Sequence, residues 1–343
     1  MRPFFKNHVL EQQPFKPMII VVDTTKAGSA SNTFVLPIIK DVTEVVKIEW
    51  GDGTNSIGVN GNNTHVYASS GVYTVKIESK VFGGIYFNNG GDKAKIVRVV
   101  SFGRGVVRSL TSSFFGCSSF IAIDDPTLIS IGADATNIFR GCSLLPTIPN
   151  IDFSKVTNAF ALCAYMTALT TVPLLDFSKV TNCQSAFYGC SSLTALPLID
   201  LSSATNTSYM CYQCTSLSSV PLINLSNVTE TMYMFCQCSA LTNIPLLNLS
   251  SVTNAYAMFY QCNGLTSIPL LNLSSVTDAS LMFSGVTLST TSYSDFLIHL
   301  ATLPLQSGVS FHGGNSKYNT AGGVARAYLI SNFGWTIIDG GAA

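Results

Sequence analysis

A phrase of 24 residues returns in phase through the middle of this chain of 343, and no other feature restricts the possible folds as much. Pro149, Pro173, Pro197, Pro221, Pro245 and Pro269 mark the beat. Around each proline the same slots recur: Leu265-x-x-Ile268-Pro269-Leu270-Leu271-Asn272-Leu273-Ser274-x-Val276-Thr277 repeats what 241–253 and 217–229 already spell. A unit this short cannot bury its own apolar residues, so the units must stack and bury them against each other, roughly 4.8 Å apart. A ladder of rungs follows.

Read slot by slot, the phrase separates core from surface. Leu169, Leu193, Leu217, Leu241 and Leu265 share one slot, and Val172, Leu196, Val220, Ile244 and Ile268 another, a spacing that predicts a short strand facing inward. Phe139, Cys163, Phe187, Cys211, Phe235, Phe259 and Phe283 share a third, often preceded by Met, and should close the core from the opposite side. The recurring serines (Ser154 to Ser274), threonines (Thr157 to Thr277) and Asp or Asn residues (Asp152 to Asn272) are expected to bond the backbone where the chain turns.

The segment Phe259-x-x-Cys262-x-x-Leu265-x-x-Ile268-Pro269 resembles the BspA-like leucine-rich repeat. The Leu-Ser-x-Val-Thr-Asn/Asp variant at 249–254 and 273–278 is similar to the related short repeat of bacterial surface proteins and phage proteins. The resemblance covers about half of the chain and implies adhesion or surface display without catalysis.

Composition narrows the class. Only 10% of residues are charged, the formal net charge is zero and 47% are hydrophobic. Runs such as 18–22 are too short to span a bilayer, so membrane insertion is not expected. Between Pro149 and Thr290 the charges are Asp152, Lys155, Asp176, Lys179, Asp200, Glu230 and Asp278, with no basic stripe for phosphates, which argues against nucleic acid. Of the ten cysteines, Cys142, Cys190, Cys214, Cys238 and Cys262 keep the beat, and Cys211 and Cys236 replace aromatics of their slots. They are expected as buried, reduced thiols; neither a metal site nor a cofactor is expected.

Outside the array, residues 1–16 read as an arm that attaches to something larger or as a disordered tail. From 17 to 108, β-rich runs at 18–22, 33–38, 45–50, 72–77 and 95–100 suggest a small sandwich. There Trp50-Gly51-Asp52-Gly53 followed by His65-x-Tyr67-x-x-x-Gly71-x-Tyr73-x-Val75 resembles the PKD domain, an immunoglobulin-like module, with Trp50 directly before Gly51 instead of three residues ahead. Asp52 and His65 are expected to be structural. The array spans 109–288, irregular at first as a capping repeat would be. Residues 289–343 read as a small α/β cap, with one helix opened by Ser292-Tyr293-Ser294-Asp295 and ended by Pro304, a second from Thr320 to near Gly334, and a last strand at Trp335. The fold class is thus mainly β.

Two columns remain for binding. Alternation leaves open whether Leu271 or Leu270 faces outward, or whether both are buried; in the first case a Pro column, Pro197, Pro221 and Pro245 among it, is exposed beside it. The second column is formed by two variable slots that should face water: Phe160, Gln184, Ser208, Met232, Tyr256 and Ser280, then Ala161, Ser185, Tyr209, Tyr233, Ala257 and Leu281. Tyr209, Tyr233 and Tyr256 could stack on sugars or peptides. No signal peptide is visible at the N-terminus, which points to a virion component or to an already trimmed chain. The expected function is a non-enzymatic phage virion protein on the virion surface, a tail or head fibre or receptor-binding component. Its partners would be a host glycan or protein, other virion proteins through residues 1–16, and a further copy of itself. The alternative is a secreted bacterial cell-surface adhesin.

Overall fold

The computed structural model describes residues 16–39, 45–79, 81–103, 106–107 and 109–343. The attachment arm expected at 1–16 falls almost wholly outside them. The described chain is mainly β, with one hydrophobic core continuous from Met18 to Ile337.

Among the described residues the first unit holds eleven strands, six of them outside the five β-rich runs read from the sequence. They are β1 (Met18–Asp23), β2 (Thr33–Ile39), β3 (Val46–Glu49), β4 (Asn55–Gly58), β5 (Gly61–Val66), β6 (Val72–Glu78), β7 (Val81–Phe82), β8 (Gly84–Ile85), β9 (Ile96–Phe102), β10 (Val106–Val107) and β11 (Ala122–Ile123). One sheet runs β11-β9-β1-β6-β3-β4 and a smaller one β5-β2-β8, while β7 pairs with β10. The unforeseen strands β4 and β5 carry mostly polar side chains, so the alternation that betrays a half-buried strand is missing. His65 is the penultimate residue of β5.

Two polar knots hold this unit. Asp52 accepts from the Thr54 hydroxyl (2.6 Å) and N–H (3.0 Å), and its other oxygen lies 2.8 Å from His65 Nε2. The His65 ring stacks on Trp50 at 4.8 Å and meets Tyr67 edge-on, while the Tyr67 hydroxyl donates to Trp50 O. Gly51 allows this turn: it sits at φ +89°, and a Cβ there would lie 2.6 Å from Thr74 O. In the second knot the buried Lys95 ammonium donates to Ser29 O, Ala30 O and Thr33 O, and Asp92 accepts from the N–H groups of Ser29 and Val35. Both charges of this buried pair are thus hydrogen-bonded as well as paired.

The repeats form coils stacked in parallel, linked by single bridges through Asp134, Asn158, Asn182, Asn206, Glu230, Asn254 and Asp278. The strongest cohesion lies on the phenylalanine side. Ala159, Ala161, Cys163 and Tyr165 donate their N–H groups to Asn182, Gln184, Ala186 and Tyr188 of the next coil, while Leu162, Ala164 and Met166 close tight turns onto Ala159, Ala161 and Cys163. Donors therefore alternate between the neighbouring coil and the same coil, and all are satisfied. This path needs left-handed residues in two slots: Asn137, Ala161, Ser185, Tyr209, Tyr233, Ala257 and Leu281 in one, Gly141, Tyr165, Gly189, Gln213, Gln237, Gln261 and Gly285 in the other.

The inward strand expected at the Leu-x-x-Leu slots does not form as a regular ladder. Its leucines are buried as expected, but only the pair β12 (Ile129–Ser130) with β13 (Ile151–Asp152) and the bridge Ala195 to Ser219 qualify as β pairing. A proline in every rung removes a donor there. Hydroxyls substitute: Thr170, Ser218 and Thr242 side chains donate to Pro146, Thr194 and Ser218 of the preceding coil. The serine slot also differs from expectation. Ser178, Ser202 and Ser226 offer backbone N–H groups to Asp176, Asp200 and Asn224, and it is the next side chain, as in Ser203 and Ser251, that reaches back to the preceding coil.

Both ends of the stack are sealed. Phe87, Asn88 and Asn89 donate to the carbonyls of Ser113, Ser112 and Phe115 in the first coil. At the far end β14 (Ser310–His312) supplies the carbonyls that Ala279 and Phe283 require, and it pairs in parallel with β15 (Thr336–Ile338). The helix α1 (Thr290–Leu300) precedes β14, and α2 (Thr320–Phe333) connects β14 to β15. The first helix begins earlier than its sequence signals suggest, because the Ser289 side chain accepts from Ser292 N and caps it. The second is capped by Asn319 and stops at Gly334 in the left-handed conformation. The phenylalanine column stacks face to face along the axis (Phe235 to Phe259, 5.7 Å; Phe259 to Phe283, 5.4 Å) and is met edge-on by Phe102 at one end and Phe311 at the other.

The backbone path makes Ser185→Gly neutral to stabilising by up to about 1 kcal/mol and Ser185→Val destabilising, since a β-branched side chain is disfavoured at positive φ; thermal midpoints of the two variants measure the difference. The Asp52 carboxyl is pushed up by desolvation, but the Thr54 hydroxyl and the His65 ring hold it down at about 2. Its contribution is complete above the unfolded value of ~3.9 and is lost as pH falls through about 2. Acid titration followed by Trp50 fluorescence in a Trp335→Phe background should therefore flatten between these values in Asp52→Asn.

Candidate functional site

Stacking turns each slot into a column, so a side chain that points outward once points outward in every coil. Leu174, Leu198, Leu222, Leu246 and Leu270 are 76%, 65%, 64%, 60% and 48% exposed, whereas their successors Leu175, Ile199, Ile223, Leu247 and Leu271 are buried. Of the registers left open by the sequence, the one with Leu270 outward is adopted. In the last coil the reason is visible: Leu271 N–H bonds Pro269 O (2.9 Å), a short turn that swings Leu271 into the core. Pro197, Pro221 and Pro245 are half-buried behind the leucines. The leucines are thus the accessible residues of this column, and the periodicity had marked them only as one alternative.

The leucine column ends against α1. There a cavity of about 650 Å³ is lined by Ile268, Leu270, Ser289, Thr291, Ser292, Asp295, Ile298, His299 and Thr302. Its apolar floor continues the leucines, and its wall carries hydroxyls, a carboxylate and an imidazole.

The second column is aromatic. Tyr209, Tyr233 and Tyr256 lie side by side, Tyr209 stacked on Tyr233 at 4.9 Å and Tyr233 edge-on to Tyr256 at 5.1 Å. The structure adds Tyr165, Tyr188 and Tyr212: Tyr188 stacks on Tyr212 at 4.7 Å and lies 4.9 Å from Tyr165. Arg140 borders the strip at its first coil, its guanidinium 5.9 Å from the Tyr165 ring and 4.9 Å from that of Phe115. Alongside runs an amide ladder in which Gln213 donates to Gln237 (2.9 Å) and Gln237 to Gln261 (3.0 Å). These added residues come from the slots beside the phenylalanine column, where the tyrosines recur on the same beat.

The variable slots are less open than their variability suggests. Tyr209, Tyr233, Tyr256 and Gln184 are half-buried, and Ser208, Ala161 and Ala257 are buried. The strip explains the half-burial, since ring faces lie against one another within it. What it offers a partner is chiefly ring edges, phenol hydroxyls and amides. Gln184 occupies the Tyr256 slot three coils away, outside this chain of ring contacts.

Burial, helped by neighbouring rings and the Cys236 thiol, pushes the Tyr188, Tyr209 and Tyr212 hydroxyls up, and the hydrogen bond that the Tyr233 hydroxyl donates to Tyr256 does the same for Tyr233 together with burial. These four tyrosines therefore stay neutral well past ordinary pH. Buried thiols lie beneath it and along the core: Cys190, Cys214, Cys238 and Cys262 donate to carbonyls of the preceding coil at 3.0–3.1 Å. Among the described residues no group of three or more His, Cys, Asp or Glu is placed to hold a metal ion, and no helix is long and apolar enough to cross a membrane.

A stack of in-phase coils with uncharged solvent columns defines a repeat protein whose chemistry resides on its outer faces. Two overlapping stretches, residues 108–221 and 181–296, match the family described as Mycoplasma protein of unknown function, DUF285. Together they cover more than half of the chain, which belongs to this family, one of BspA-like surface repeats. No curated protein matches it.

Because the folded state keeps these tyrosines protonated beyond their ordinary pKa of ~10, stability falls as pH rises above that value. Absorbance titration at the phenolate band should show a late-ionising set of tyrosines that Tyr188→Phe/Tyr233→Phe diminishes.

Proposed function

We propose that this is a non-enzymatic adhesion protein that contacts a host cell surface through the tyrosine and glutamine strip. The observation that carries the reading is the strip itself: phenol hydroxyls and amides repeated once per coil, uncharged, on a scaffold whose backbone donors are satisfied between coils. Rigid, regularly spaced polar edges bind without ordering cost, which suits a partner that is itself repetitive, such as a surface glycan, or a protein laid across several coils.

The array is read as a leucine-rich-repeat solenoid of the BspA-like kind, and the first unit as an immunoglobulin-like module of the PKD type. The Trp50, His65, Tyr67 and Tyr73 cluster supports the second reading: the residues of that motif pack together around the Gly51 turn, with Tyr67 and Tyr73 stacked at 3.6 Å. On this reading the adhesive array follows a spacer module. Asp52 and His65 are occupied with Thr54 and Trp50, which favours a structural role over catalysis.

Two settings suit such a protein: a phage virion, as a tail or head fibre or receptor-binding component, and a bacterial envelope. Membership of a BspA-like surface-repeat family favours the envelope. Mass spectrometry of purified particles and of envelope fractions decides between them. For the adhesive face, Tyr233→Ala/Gln237→Ala should weaken binding to whole bacteria and to neutral polysaccharides at least about tenfold while preserving the fold by circular dichroism, the loss of stacking and hydrogen-bond partners being worth 1–2 kcal/mol. Unchanged binding would remove the strip from the mechanism.

A further inference from the structure

The leucine column plays no part in that reading, yet it is the most apolar surface of the array. Five leucines project in register, one per coil, over roughly 19 Å at the usual strand spacing. Half-buried prolines flank them on one side, and the Asp or Asn column lies two residues farther on. Along the last three leucines the flanking slots hold Asn224, Asn248 and Asn272, so this stretch offers no charge for an acidic or basic partner to pair with. A patch this long and apolar is more than a monomer leaves in water without use.

From these features we infer that the column is a self-association surface, on which two copies of the chain pack antiparallel, ladder against ladder, about a two-fold axis through Leu222. Three properties select a second copy as the occupant. The first is pitch. A rigid row of knobs spaced by one coil is matched over its full length only by a surface with the same repeat; an α-helix, at 5.4 Å per turn, loses step with it. Another copy of the row has the required spacing by construction.

The second property is the shape of the two ends. At the Leu270 end the wall of α1 rises beside the column, enclosing the cavity lined by Leu270, Ile298 and His299. At the other end the column simply stops, since the slot before Leu174 holds Asn150. In a parallel pair the two α1 walls would meet. In an antiparallel pair each wall overhangs the bare end of the other copy, and Leu222, third of five, lies on the axis. An isologous contact of this kind closes at two copies.

The third property is charge. The polar groups on the α1 wall are Asp295, His299 and the hydroxyls of Thr291, Ser292 and Thr302. Exposed Asp176 and Lys179 stand at the opposite end of the column. The antiparallel pairing brings Lys179 of one copy toward Asp295 of the other, and Asp176 toward hydroxyl and imidazole donors. The contact then has an apolar centre and a polar rim, the anatomy of a specific protein–protein interface.

The test uses the full chain. Analytical ultracentrifugation across 1–100 μM (on the order of the range a standard-size contact spans) should show a monomer–dimer equilibrium. Leu222→Asp, at a side chain that is mostly exposed in the single copy, should keep the circular dichroism spectrum and thermal midpoint and shift that equilibrium toward monomer by at least ~100-fold, because each copy would bury an unpaired carboxylate on the axis. Crosslinking fixes the geometry. With a short thiol crosslinker, Leu222→Cys should link to itself. Leu174→Cys and Leu270→Cys should each fail alone and link to each other when mixed, while the unsubstituted chain, its native thiols buried, stays unlinked. A monomer throughout that range, a dimer unaffected by Leu222→Asp, or self-linking of Leu174→Cys would each overturn the proposal.

Discussion

The whole array depends on one hydrogen-bonding scheme, in which alternate N–H groups of each phenylalanine-side segment cross to the next coil and the others close turns within their own coil. That alternation satisfies every donor of a segment that is neither helix nor strand, and it does so only if two residues per coil adopt the left-handed conformation. Non-glycine residues resist that conformation by roughly 1–2 kcal/mol each. Here Ala161, Ser185, Tyr209, Tyr233 and Ala257 are held in it because each donates its N–H to the neighbouring coil, Ala161 to Gln184 and Tyr209 to Met232. A coil alone could not hold them, so the local conformation is a product of stacking.

The same scheme explains how the core is filled. The phenylalanines stack face to face at one-coil spacing, and where a cysteine replaces one, as at Cys163 and Cys211, the smaller side chain remains fully buried. The neighbouring thiols contribute a second set of links, each S–H reaching a carbonyl of the preceding coil and giving an otherwise poor hydrogen-bonding group a partner. Every column is bonded along the axis: amides through Gln213 and Gln237, hydroxyls through Thr181 and Thr205, rings through the phenylalanines and tyrosines. Such an array would grow without limit unless its ends were closed. The first unit closes one with backbone donors from Phe87 to Asn89, and β14 closes the other with acceptors at Ser310 and His312.

The proposed function draws on the same geometry. When every coil repeats its outward residues, the surface becomes a set of stripes, each chemically uniform and each rigid. The tyrosine and glutamine stripe is polar and neutral; the leucine stripe is apolar and ends at a walled cavity. A protein built this way does not need to gather dissimilar groups around one reacting bond. It presents one kind of contact many times, the arrangement on which the proposed adhesive role rests.

Much of this was legible in the amino-acid sequence. The 24-residue beat, the buried leucine, phenylalanine and cysteine slots, the five β-rich runs of the first unit and the second helix could all be read from periodicity, because the spacing of apolar residues reflects which face meets the core. The tertiary structure alone decided three matters. Proline and the turn at Pro269 break strand alternation, so only the folded coil shows that Leu270 faces out and Leu271 in. The strands β4 and β5 exist through pairing with β3 and β2, which polar side chains do not announce. The tyrosines, expected as separate stacking platforms, lie against one another because adjacent coils bring successive rings to 4.7–4.9 Å. Periodicity states which residues are equivalent; only the stacked backbone states which way equivalent residues point and what they then touch.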